Sequence, residues 1–84
     1  MFHSLMKNAE TIEEGGFYRR PDTGSVIETA EVLEVARDPL GIPHVRYQLY
    51  MIHGTDARIE QRTLALDAFY VRYRERIYND QSAA

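Results

Sequence analysis

Residues 27–52 read IETAEVLEVARDPLGIPHVRYQLYMI, and their pattern decides the fold class. At the centre, Asp38-Pro39-Leu40-Gly41 sets Asp, Pro and Gly where a type I turn favours them. Proline presets φ there, and the aspartate side chain accepts a bond from the backbone just ahead. Pro43 holds Ile42 extended, which blocks a helix and feeds a strand. That strand alternates, with Val45, Tyr47, Leu49 and Met51 on one face and His44, Arg46 and Gln48 on the other. Tyr50 and Ile52 interrupt the polar face, which predicts cover on both sides at that end. The incoming flank is less regular. Ile27, Leu33 and Val35 share a face with Glu31, while Ala30, Val32 and Ala36 share the other with Glu28 and Glu34. One extra residue near Glu31 reconciles the two patterns, so a bulge or strong bend is expected there. The whole stretch reads as a long β-hairpin.

Working outward, Phe17-Tyr18-Arg19-Arg20 is a short strand candidate, closed by the turn residues Pro21 to Ser25. After Ile52, His53-Gly54-Thr55-Asp56 makes a loop. Arg58 to Ala65 then reads as a strand with its charges facing solvent. Leu66, Phe69, Tyr70, Tyr73 and Ile77 recur at helical spacing, with Asp67 placed to cap the start. At the other end, Phe2, Leu5, Met6, Ala9 and Ile12 also recur at helical spacing. Ser4 is a possible cap and Gly15-Gly16 a stop signal. Acidic residues near its C-terminal end oppose the helix dipole, so a marginal helix and a frayed tail stay equally open. The expected organisation is an N-terminal helix or tail over 1–15, a single small β domain over 16–78, and a polar, disordered tail over 79–84.

Composition narrows the class. A chain of 84 residues makes one domain and buries only about 60–65% of its unfolded surface, so six Tyr and three Phe must supply much of the core. Without cysteine there are neither disulfides nor thiolate metal sites. No apolar run approaches the ~18 residues of a membrane span. Met1-Phe2-His3-Ser4 lacks the basic start and long apolar stretch of a signal peptide. A cytoplasmic protein with no membrane partner is expected. The net charge of −3 is unevenly spread. Residues 1–36 carry three basic groups against seven acidic ones, and residues 37–84 carry seven arginines against six acids. That balance lacks the strong basicity of a dedicated nucleic-acid binder.

Four or five short antiparallel strands, tight turns and little helix describe a mainly β chain. Curling into a small barrel removes its exposed edges most simply. An SH3-like barrel with short terminal helical segments is expected, the alternative being a small α+β sheet packed on a helix. Phe17-Tyr18-Arg19-Arg20, Ala30 to Ala36 (AEVLEVA), Val45 to Tyr50 (VRYQLY) and Arg62 to Phe69 carry a resemblance. Their succession is similar to that in short bacterial domains of unknown function with an SH3-like barrel. The likeness spans roughly Gly16 to Arg74, without the tryptophan those domains place ahead of the closing segment. It implies a fold and brings no catalytic residue.

No motif specifies chemistry. His44 and His53 stand at opposite ends of one strand, roughly 30 Å apart at ~3.3 Å per residue, and cannot share an ion. No metal or cofactor is expected. Glu13-Glu14 and Glu28, Glu31 and Glu34 read as solubilising carboxylates rather than an acid–base pair, which needs a pocket to shift its pKa values. Gly15-Gly16 lacks the lysine and strand–helix setting of a phosphate loop, and Ser4, Ser25 and Ser82 have no nucleophile-elbow context. The chain reads as a non-enzyme. Tyr70 to Tyr78 (YVRYRERIY) interleaves tyrosine with arginine, which suits protein interfaces and single-stranded nucleic acid alike. The plain alternative is a core-facing Tyr73 and Ile77 beside a solvated arginine stripe. The candidate surface comprises Arg46, Tyr50, Ile52, Arg58, Arg62, Tyr70, Arg72, Tyr73, Arg74 and Arg76. Protein binding or self-association is the leading expectation, and weak RNA or single-stranded DNA binding the second.

Overall fold

The computed structural model of the protein describes residues 12–78. The domain is mainly β. Strands β1 (Phe17–Arg19), β2 (Val26–Arg37), β3 (Pro43–His53) and β4 (Asp56–Ala65) are followed by helix α1 (Leu66–Arg72) and strand β5 (Glu75–Ile77). All five strands form one antiparallel sheet in the order β4-β3-β2-β1-β5. β4 and β5 are therefore its two edges. The predicted helix over Phe2 to Ile12 and the predicted tail from Asn79 fall outside the described residues, apart from Ile12, which is buried.

The hairpin at residues 27–52 forms as its turn chemistry dictates. The Gly41 N–H donates to the Asp38 carbonyl at 2.8 Å, and the Asp38 carboxylate accepts from the Leu40 and Ile42 amides at 2.9 Å each. Gly41 adopts φ +85°, the left-handed residue that follows a type I turn in a three-residue hairpin loop. The second hairpin is tighter than a loop from His53 to Asp56. His53 pairs directly with Asp56, and only Gly54 and Thr55 lie between them. Gly54 has φ +63° whereas Thr55 does not, the pattern of a type II′ turn. β4 accordingly begins at Asp56 rather than Arg58.

The predicted irregularity in β2 is present, two residues further along than expected. Val32 opposes Tyr47 and Glu34 opposes Arg46, which leaves Leu33 as the extra residue. Skipping Leu33 in the alternation turns Ala30, Val32 and Val35 inward together. Ala30 and Val32 are buried, and Val35 packs against the core. Ile27 therefore does not share a core face with Val35. It is 45% exposed. The expectation that Ile52 is covered on both sides also fails, since it is 44% exposed.

Helix α1 is shorter than its periodicity suggested. It starts after Ala65 without a side-chain cap, Asp67 lies in its first turn, and it ends at Arg72. Ile77 belongs to β5, whose Arg76 pairs with Tyr18, because the edge of β1 takes up the backbone bonds that a longer helix would have kept internal. The core is aromatic. Phe69 and Tyr73 from the helical segment meet Tyr47 of β3 at centroid distances of 5.1 and 5.3 Å and each other at 5.0 Å, and Tyr18 of β1 meets Phe69 edge-on at 5.7 Å. Such pairs add about 0.5–1.5 kcal/mol each beyond their buried area. Among the described residues, no helix is long and apolar enough to cross a membrane.

Candidate interaction surface

Pairing register decides which side chains stand together, because residues opposite one another in an antiparallel ladder share a face. On the face away from the core, Ile27 lies opposite Ile52, Ile52 opposite Ala57, and Tyr50 opposite Ile59. Ile59 is the most open of the three isoleucines, at 59% exposure. These residues make a continuous apolar strip across β2, β3 and β4. Isolated exposed apolar residues are ordinary, whereas a contiguous strip is a candidate contact surface. Tyr50 is fixed within it by donating its hydroxyl to Glu31 at 2.8 Å, a bond that pushes the tyrosine pKa up.

The strip runs out to β4, an exposed ten-residue edge. On the opposite face of that strand Arg58, Glu60 and Arg62 form a charged row. Glu60 accepts from Arg62 at 2.7 Å and lies 3.9 Å from Arg58. The row gives this edge a face of alternating charge.

The arginines and tyrosines singled out from the sequence do not converge. Arg46 shares the outer face with Tyr50 and Ile52, where it meets Glu34 at 3.4 Å. Arg58 and Arg62 project from the other face of β4. Tyr70 packs partly into the core, and Tyr73 is fully buried and so presents nothing to a partner. Arg76 ties the domain together. It donates to the Tyr18 hydroxyl at 3.0 Å, lies 5.1 Å over the Tyr18 and Tyr78 rings, and meets Glu13 at 3.5 Å.

Arg72 and Arg74 remain. With Arg20 they line an open cleft that also holds Asp22, Asp67 and Val71. Arg20 pairs with Glu28, while Arg72 and Arg74 make no ion pair among the described residues. A second shallow cleft, at the β2–β3 turn, is lined by Glu34, Arg37, Asp38, His44 and Arg46. His44 Nδ1 there lies 2.9 Å from the Ile42 carbonyl. Among the described residues, no three His, Asp or Glu side chains group as metal ligands.

Two members of the apolar strip were missed in the sequence. Alternation alone sets Ile27 on one face with Leu33 and Val35, and Ile59 lies within a charged run. The alternation of Arg58, Glu60 and Arg62 with Ile59 and Gln61 carried the signal for the second. Comparison with known proteins yields no significant match, whether to a family model, a curated protein or a solved structure.

Proposed function

We propose that this domain is a non-catalytic protein-interaction module that binds through the outer face of β2, β3 and β4. The observation that carries this reading is the strip of exposed Ile27, Ile52 and Ile59 and half-buried Tyr50, brought together by register. Its rim of Arg46, Glu34 and Gln48 matches the usual anatomy of an apolar centre within a polar border. The strand order, with a short helix between the last two strands and a bulged second strand, supports an SH3-like barrel as the scaffold. A photo-crosslinking residue placed at Ile52 tests the reading in source cells, with the same residue at Leu40 as an exposed control. Protein adducts at position 52 above the control support it. Equal or absent adducts overturn it.

A second reading rests on Arg72 and Arg74, which make no ion pair among the described residues and line one cleft with Arg20. Such a site suits the phosphates of RNA or single-stranded DNA, with affinity that falls steeply as salt rises. Asp22 and Asp67 in the same cleft weaken its field, which ranks this reading second. Amide-resolved titration with a short single strand at low salt decides it. Shifts centred on Arg72 and Arg74, and lost in an Arg72→Ser/Arg74→Ser variant, favour it, and an unchanged spectrum removes it.

A further inference from the structure

The edge strand β4 is complementary to itself. The two-residue turn at Gly54-Thr55 closes on the pair His53 and Asp56, and bonded pairs alternate from there along the ladder. Asp56, Arg58, Glu60 and Arg62 thus direct their backbone groups toward β3. Ala57, Ile59, Gln61 and Thr63 direct theirs outward, and among the described residues no strand receives them.

We infer that the partner of this edge is a second copy of the chain, its β4 running antiparallel about a two-fold axis at Ile59. In that register Ile59 faces its own counterpart and Ala57 faces Gln61, all of them outward-directed, so the backbone bonds close. On the charged face Arg58 then lies opposite Glu60 of the other copy, and Asp56 opposite Arg62, each pair occurring twice. The existing row of Arg58, Glu60 and Arg62 extends into a checkerboard of alternating sign. On the apolar face the two strips of Ile27, Ile52 and Ile59 join across the axis.

Neighbouring registers are worse. Centring on Glu60 sets Arg58 against Arg62, and centring on Arg58 sets Glu60 against Asp56, like charge against like. Centring on Gln61 keeps a Glu60–Arg62 pair but sets Arg58 against Leu64. Charge complementarity therefore selects both the occupant and the alignment. This inference rests on the reading of the outer face as an interaction surface and names its partner.

The test uses the full chain, which contains no cysteine of its own. An Ile59→Cys variant places two thiols across the axis at a Cα separation of about 5.5 Å, within disulfide range. Under mild oxidation it is expected to form a covalent dimer at least tenfold faster than Gln61→Cys or Ala57→Cys alone. Sedimentation of cysteine-free protein should show a concentration-dependent dimer. Glu60→Arg should weaken it about tenfold or more, and Arg58→Glu/Glu60→Arg should restore it. Restoration by Glu60→Arg/Arg62→Glu instead would overturn the Ile59 register. A monomer at millimolar concentration, or equal crosslinking at 57, 59 and 61, would overturn the self-pairing altogether. Adducts to other proteins at position 52 in a chain that stays monomeric would reject this inference and leave the interaction surface standing.

Discussion

The guanidinium of Arg76 donates to the hydroxyl of Tyr18 at 3.0 Å, across 58 residues of chain. The same hydroxyl accepts the Glu13 amide at 3.0 Å, so one oxygen joins the segment before β1, β1 itself and the closing strand β5. Tyr18→Phe keeps the ring against Phe69 and removes only that oxygen. The loss strands the part-buried Glu13 amide and removes one of the bonds of Arg76, which costs about 1–3 kcal/mol. Denaturant unfolding should show a lower midpoint with an unchanged slope.

Gly16 is required by space. A Cβ there would lie 2.9 Å from the Tyr18 ring and 3.1 Å from the Glu13 carbonyl. Gly16 also accepts the Val32 amide at 2.9 Å, so the backbone cannot retreat without breaking that bond. Gly16→Ala should destabilise by about 1–3 kcal/mol through overpacking, measured by thermal unfolding.

Tyr47 and Tyr73 bury their rings side by side, 5.3 Å apart, and neither hydroxyl has a hydrogen-bond partner of good geometry among the described residues. A buried polar atom without a bond opposes folding. Tyr47→Phe should therefore leave stability unchanged or raise it slightly, whereas Tyr47→Ala should cost about 3–5 kcal/mol by opening a cavity. Equilibrium unfolding of the two variants separates the hydroxyl from the ring.

The same burial makes an alkaline prediction. Burial first, then the neighbouring Tyr73 hydroxyl, push the Tyr47 pKa well above the ordinary tyrosine value of about 10. The unfolded chain releases that proton near pH 10 while the native chain still holds it. The contribution of Tyr47 is therefore complete below pH 10 and drains away as the pH climbs beyond it. Stability followed from pH 8 to 12 should fall above 10, and less steeply in Tyr47→Phe.

Local chemistry was legible wherever a few adjacent residues decide the outcome. Asp38-Pro39-Leu40-Gly41 named its turn, and β3 showed its inward face as Val45, Tyr47 and Leu49 without reference to any other strand. The bulge in β2 was legible as a conflict between two alternations, though not its placement at Leu33, because the partner strand determines which residue is skipped. Helical spacing overran its true end, since Ile77 keeps the period of α1 but pairs with β1 instead.

The sequence by itself determined the mainly β class, the long central hairpin and the dependence on an aromatic core. Tertiary structure decided which arginines and tyrosines are surface and which are scaffold. Tyr73 became core, Arg76 a brace on Tyr18, and Ile27, Ile52 and Ile59 one exposed strip. Turns and alternation arise from bonds and sterics within a few residues. A surface arises from register between strands, and register depends on contacts among residues far apart in the chain.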